Sequence, residues 1–369
     1  MTQRFDLVAL DPRGVGRSTP IRCRTPLRAP GVTRFPADHA AYDRLVAHNK
    51  AFADDCRRRN GSLADHLDLT STARDFEAVR IALGEHKLDW YGIHYSTLLG
   101  RTYAALFPGR LRTMTLDTAL DDTVPLVSRI ADEATSAENA FNRFTAWCQA
   151  AATCALHGRD VAADYDALVA RANAHPIPVP GGAQPPVTGE DIQAATQDYL
   201  NIAFLYWPML ATAITRAAAG DPTDFTADPD DTIDPVQLQV TACADSSATA
   251  TYDQLAGLQR MLRQLSPHLG GAVRSWTALT GCLGRPVHRA PATPPVTRAP
   301  STLIVQSTHQ ALAPYAAGFS LAGQLPGSVV LSRDGDDYSM FLLSGCVRDH
   351  VNRNLTDRKL APPGTICTD

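Results

Sequence analysis

No run of apolar residues in this 369-residue chain is long enough to cross a bilayer. The most apolar segment, 202–214, is interrupted by Pro208 and reads as a buried or cap helix. The first residues, Met1-Thr2-Gln3-Arg4-Phe5-Asp6, lack the charged, apolar, small order of a secretory signal. There is no concentrated basic face. The net charge is −4, which argues against nucleic acid as a partner. Arg57, Arg58 and Arg59 form the one tight basic run and read as a solvated helix end. No two cysteines stand in CxxC spacing, and none is spaced to histidines as a zinc site requires. No metal and no organic cofactor is expected.

What is present is an ordinary globular balance, with 44% hydrophobic and 20% charged residues. The length allows one large core, or a core plus a cap. Eight cysteines (Cys23, Cys56, Cys148, Cys154, Cys243, Cys282, Cys346, Cys367) are spread along the chain. Their even number suggests disulfides and an oxidising compartment, with the connectivity left open.

Residues 5–10 form a short apolar run that ends at Asp11-Pro12-Arg13-Gly14 and read as a buried strand feeding a turn. Helical spacing of apolar residues covers 71–83, and Gly84 follows as a stop. Residues 88–93 are strand-like, 96–107 helical and closed by Pro108-Gly109, and 111–116 strand-like again. This alternation predicts a parallel sheet with helices on its faces. From about 122 the pattern becomes helical, over 126–147, 160–173, 189–219 and 249–265, with proline-rich loops between. A stiff proline-rich connector, 289–300, leads to a strand at 302–305, a helix starting at Pro314, a strand at 329–331 and a last helix near 344–354. The expected divisions are a first core part (1–121), a helical cap or lid insertion (122–295) and a C-terminal core part (296–369).

The segment Gly92-Ile93-His94-Tyr95-Ser96, between a strand and a helix, occupies the context of the G-x-S-x-G nucleophile elbow. Gly92 keeps the first glycine, Ser96 is a small residue in place of the second, and His94 stands at the nucleophile. Asp11-Pro12-Arg13-Gly14-Val15-Gly16-Arg17-Ser18 precedes it; Asp75-Phe76-Glu77-Ala78-Val79-Arg80 and Leu83-Gly84-Glu85 lead into it. Tyr103-Ala104, Phe107-Pro108-Gly109-Arg110 and Leu116-Asp117 follow, then Val305-Gln306 and Pro314-Tyr315. Together these motifs resemble the tripeptidyl and prolyl aminopeptidase-like branch of the α/β-hydrolases. The resemblance implies an α/β-hydrolase fold with a mostly parallel sheet and a helical cap, here without the N-terminal strands and the glycine-rich oxyanion loop that precede Asp11 in the family. It further implies export, disulfides Cys23–Cys56, Cys148–Cys154, Cys243–Cys282 and Cys346–Cys367, and a sheet edge to be covered by a partner, another copy or the cap.

The resemblance also implies a Ser–Asp–His triad. Carried over, the serine falls on His94, the aspartate on Gln310 and the histidine on Tyr338, with Asp337 one residue away. Serine-hydrolase activity is therefore expected to be absent. The leading functional expectation is a lyase or cyclase working on a small molecule by acid/base chemistry, with His94 central and Tyr338 or Asp337 as its partner. The alternatives are an inactive relative that binds a peptide or protein partner, and a peptidase or ester hydrolase by ancestry. Tyr95, Ser96 and Gly92 would shape the elbow and its oxyanion donor. Tyr206 and Trp207 would line a substrate cleft, or else fill the cap core. His309 reads as a surface loop residue.

Overall fold

The computed structural model describes residues 4–182, 184–226, 234–246, 248–285 and 293–369. After an irregular stretch come helices α1 (His39–Asn60) and α2 (Leu69–Ala82), then β1 (Leu88–Ile93), α3 (Tyr95–Leu106) and β2 (Leu111–Asp117). Among the described residues seven α-helices follow: α4 (Leu126–Ala150), α5 (Val161–Ala174), α6 (Gly189–Tyr199), α7 (Ala203–Ala218), α8 (Pro235–Ala244), α9 (Tyr252–Leu265) and α10 (Arg274–Cys282). The α/β pattern then resumes with β3 (Ser301–Ser307), α11 (Tyr315–Ala322), β4 (Val329–Arg333), α12 (Met340–Leu343), α13 (Gly345–Asp357) and β5 (Ile366–Cys367).

The five strands pair in the order β1-β2-β3-β4-β5, all parallel. A parallel sheet must be covered on both faces, and β3 shows how. Its side chains alternate. Leu303 and Val305 pack with Leu331, Met340, Val347 and Val351 on one face, while Ile304 joins Trp90, Met114, Leu116 and Leu321 on the other. Trp90 anchors that second face, with Phe76 at 5.2 Å and Tyr103 at 5.6 Å between ring centroids. The helices α4 to α10 lie between β2 and β3 in the chain; all but α8 share an apolar cluster around Phe141, Phe144, Tyr165, Leu210 and Trp276, while Val240 of α8 packs with Ile21, Phe52 and Leu67.

All four expected disulfides are present: Cys23–Cys56, Cys148–Cys154, Cys243–Cys282 and Cys346–Cys367. The Arg57–Arg59 run occupies the last turn of α1, where cations meet the helix's negative end. Gly84 sits beyond α2 at φ 72°, the left-handed stop its position suggests.

The structure differs from expectation in several places. Residues 5–10 form no strand, and Leu7 and Val8 are exposed. An apolar run becomes a strand only when its backbone groups find a ladder, and this one pairs with no described strand. The predicted 189–219 helix is two, broken at Leu200–Ile202, so that Asn201 is free to turn towards the sheet. Helices α8 and α10 were not anticipated by periodicity. Of the connector, 289–292 lie outside the described residues, while 293–300 are irregular as expected. Among the described residues, no helix is long and apolar enough to cross a membrane.

Candidate active site

The sharp bend between β1 and α3 is built from the backbone outwards. The His94 N–H donates to the Asp117 carbonyl at the end of β2 (3.0 Å), and the chain turns at once into α3. Such a turn forces His94 to φ 51°, ψ −113°, a conformation that side chains other than glycine rarely adopt. Gly92 makes room beneath it: a Cβ there would lie 2.6 Å from the Ser96 carbonyl oxygen and 2.7 Å from the Trp90 indole nitrogen. Ser96 is thus a packing residue whose carbonyl meets Trp90 (3.3 Å). The Thr97 hydroxyl donates to the His94 carbonyl (2.5 Å) and accepts from the Leu120 N–H (3.1 Å), pinning the bend from below. Tyr95 supplies the first N–H of α3, which no carbonyl of the helix can take. The backbone therefore makes the sharp, strained bend that the Gly92-x-His94-x-Ser96 pattern leads one to expect.

The side chains are another matter. His94 Nε2 is shut off from solvent and has no hydrogen-bond partner. Burial pushes its pKa down to about 3, and the charge of Arg274 on α10 acts in the same direction. Arg274 is itself held by Asp198 at 2.7 Å. The nearest expected partner, Tyr338, lies with its ring 5.8 Å from the imidazole, a packing distance. Asp337 faces away: it accepts from the Ala203 N–H (3.2 Å) and pairs with Arg333 (3.1 Å). His309 turns to Asp334 at 3.8 Å.

Gln310 is fully enclosed. Its Oε1 accepts from the Leu312 and Ala313 N–H groups, and its Nε2 donates to the carbonyl (3.3 Å) and the side-chain oxygen (3.4 Å) of Asn201. The same Asn201 carbonyl accepts from the Tyr338 N–H at 3.0 Å. One residue in the α6–α7 break thus occupies the ground between the two loops that would carry an aspartate and a histidine. Nothing in the sequence marks Asn201 for this, because apolar residues at helical spacing run through it. Tyr206 and Trp207 lie inside the cap, in its apolar cluster, with Trp207 against Trp147 and Phe144. A cavity of about 240 Å³ lies to one side, lined among others by Leu120, Asp121, Arg129, Glu133, Pro314 and Ser320, and none of the expected site residues borders it.

Behind the elbow, Asp117 is wholly buried. It accepts from the Tyr91 hydroxyl (2.8 Å) and from the N–H groups of Met340 (3.2 Å) and Phe341 (3.0 Å). Burial raises the Asp117 carboxyl above the usual carboxylate range, and those donors act against the rise. Its neighbours explain its place: it joins β2 to the Tyr338–Phe341 loop. Among the described residues no group of three or more His, Cys, Asp or Glu is placed to hold a metal ion.

Comparison with known proteins follows this geometry. Residues 2–168 match the family described as alpha/beta hydrolase fold, and residues 266–367 the family described as TAP-like protein. The chain is 29% identical over 400 residues to the serine protease Hip1 of Mycobacterium tuberculosis, covering 99% of this chain and 75% of that protein. It is 29% identical to a tripeptidyl aminopeptidase of Streptomyces lividans (95% and 68% covered). To a carboxylesterase B of Mycobacterium tuberculosis it is 30% identical (99% and 74% covered). Among solved structures, a proline iminopeptidase of Mycobacterium smegmatis aligns at TM-score 0.33 and 12% identity, covering 80% of this chain and 75% of that one.

These relatives overturn the lyase or cyclase expectation, since they are named as a protease, a peptidase and an esterase. The site agrees. An imidazole whose pKa has fallen to about 3 is not a proton-transfer group near neutrality, and its Nε2 has no hydrogen-bond partner.

Proposed function

The chain belongs to the α/β-hydrolase fold family, and from that premise we propose that it is a hydrolase of acyl compounds, acting on esters in preference to peptides, with the His94 imidazole in the nucleophile's place. The observation that carries this reading is the elbow itself, with His94 at φ 51°, ψ −113° and the Tyr95 N–H beside it. Burial keeps the imidazole neutral at ordinary pH, with its lone pair unprotonated. A nitrogen of that kind can take an acyl group.

In this scheme His94 Nε2 bonds to the ester carbonyl carbon, and the oxygen that gains the electron pair is received by the Tyr95 N–H. The intermediate collapses, the carbon–oxygen bond to the leaving group breaks, and the alcohol portion departs as its anion. Water then adds to the acyl-imidazolium, one of its protons going to the departed alkoxide; the carboxylic acid leaves with the other, and the neutral imidazole is restored. A departing amine needs a proton and a good alkoxide leaving group does not, and the Asp337 carboxyl is engaged by Arg333 and the Ala203 N–H, which is why esters with good leaving groups are favoured over amides. Substrate access requires the Asn201 strap to lift from Gln310 and Tyr338.

The test is turnover of p-nitrophenyl esters against tripeptide p-nitroanilides by the full chain and by His94→Ala, with mass spectrometry of the quenched protein. The expected result is ester turnover, an acyl adduct on the peptide containing His94, and loss of both in the variant. Ester turnover that persists in His94→Ala, or none at all in the unaltered chain, sinks the reading.

A second reading is favoured by the Asn201 carbonyl, which satisfies both loops where a working triad would stand. In it the protein is a catalytically silent member of the family that holds a peptide in the cleft. Calorimetric binding of a tripeptide that survives His94→Ala, without turnover, supports this one.

A further inference from the structure

Beside the elbow lies a second set of half-buried groups that the scheme above does not use. The Tyr95 hydroxyl donates to Asp245 Oδ2 at 2.7 Å. Asp245 Oδ1 accepts from the Leu69 N–H, the first of α2, at 2.8 Å. Asp245 itself closes α8 as its C-cap residue, two positions after Cys243, whose disulfide to Cys282 fixes α8 against α10. One carboxyl group thus joins three elements distant in sequence: a cap helix, the helix before β1, and the first residue of α3.

We propose that Asp245 is a positioning residue for the elbow: by clamping the Tyr95 ring to α2 and α8 it fixes the direction of the Tyr95 backbone N–H, so that the position of the cap is read directly by the group that receives the oxyanion. The oxyanion part of this rests on the hydrolase reading; the clamp does not. Tyr95 opens α3, and a ring held at its far end by Asp245 limits how far the residue that carries this N–H can shift without breaking the bond. Two bonds at 2.7 and 2.8 Å, one to each oxygen, hold this half-buried carboxyl group.

The clamp is also titratable. The charged groups that face Asp245 are the carboxylates of Asp68, which caps α2, and Asp122, beyond β2; Tyr95 is the titratable hydroxyl. Burial first, then these two carboxylates, push the Asp245 carboxyl up to about 6, against the Leu69 N–H and the Tyr95 hydroxyl, which favour its charged form. The folded chain therefore holds this proton more tightly than the unfolded chain, where a carboxyl titrates near ~4. The sign follows: ionising Asp245 opposes folding, and its share of stability falls as pH rises from about 4 through 6.

The experiment is hydrogen–deuterium exchange of the full chain, read on the peptide containing Tyr95, Ser96 and Thr97, at pH values from 4.5 to 7.5 after correction for intrinsic exchange. It uses Asp245→Ala, Asp245→Asn and Tyr95→Phe, with β3 as an internal reference. Asparagine can still accept from the Leu69 N–H through Oδ1 and donate to the tyrosine oxygen through Nδ2, but it cannot titrate. The expected result is about tenfold faster exchange at 95–97 in Asp245→Ala and in Tyr95→Phe, with β3 unchanged. Asp245→Asn should restore protection and abolish the step in exchange near pH 6 that the unaltered chain shows. Equal acceleration everywhere in Asp245→Ala, or a pH step that survives in Asp245→Asn, overturns the proposal. If esters are turned over, kcat should follow the same step while KM does not. If none is turned over, the hydrolase reading has failed and the exchange data still decide the clamp.

Discussion

The sheet region and the helices between β2 and β3 are built on opposite plans. The sheet takes its geometry from ladders and tight backbone approaches, as where Gly92 admits the Ser96 carbonyl and the Trp90 indole. The intervening helices take theirs from side-chain packing around Phe141, Phe144 and Trp276, and from two disulfides, one of which ties the last turn of α4 to the loop that follows it. Where the two regions meet, the named contacts are polar: Asn201 on Gln310 and Tyr338, Arg143 on Asp336, the Ala203 N–H on Asp337, and Tyr95 on Asp245. The sheet and most of the intervening helices keep separate apolar clusters, whereas α8 shares one with the segment before the sheet, Val240 packing with Ile21, Phe52 and Leu67.

That contrast is open to direct attack. The largest effect is expected from Trp276→Ala, which empties the best-filled position of the cap cluster, a fully buried ring stacked on Phe35 at 5.1 Å. It should cost about 3–5 kcal/mol, seen as fast exchange in α4, α9 and α10, with β2 and β3 still protected. If the strands lose protection together with the helices, the two regions are one cooperative unit and the comparison fails. A smaller loss, about 1–3 kcal/mol, is expected from Gly92→Ala, measured by chemical denaturation, because backbone rather than a flexible side chain must move. Here the loss should appear at the elbow and in β1, and a variant as stable as the unaltered chain would show the bend to be looser than its contacts imply. The smallest belongs to Arg143→Gln. Its fork on Asp336 is partly exposed, so its removal should cost under about 1 kcal/mol yet speed exchange at 336–340. A loss several times larger would mean that the boundary, and not the interiors, holds the molecule together.

The same contrast governs how much could be read in advance. Strands 88–93 and 111–116 are legible as short strand-like runs bounded by turn residues, and the bend at His94 from the small residues Gly92 and Ser96 between a strand and a helix; the second strand runs one residue further, to Asp117. The four disulfides were legible only through the family resemblance, since spacing by itself left their pairing open. In the helical region the start of α8 carries a signal, Asp234 as a cap followed by Pro235 in the first turn, but the helix is too short for periodicity to support it. Asn201 had no such mark. Apolar residues continue through the α6–α7 break, and what ends the helix there is the pull of Gln310 and Tyr338 from more than a hundred residues away. Arg274 and Asp245 were missed for the same reason: their roles come from where the cap sits, not from their neighbours in sequence. At residues 5–10 the apolar run was legible and its meaning was not, because a strand exists only in the company of another.

The left-handed turn at residue 94 has a consequence for engineering. Its torsion is imposed by the Asp117 carbonyl, Gly92 and Thr97, none of which touches the imidazole through these bonds. The socket is indifferent to what it displays. His94→Gly should therefore relax the bend by about 1 kcal/mol, while His94→Ser or His94→Cys should enter with no rearrangement of the main chain, offering a ready-bent mount on which other reactive groups can be compared at constant geometry.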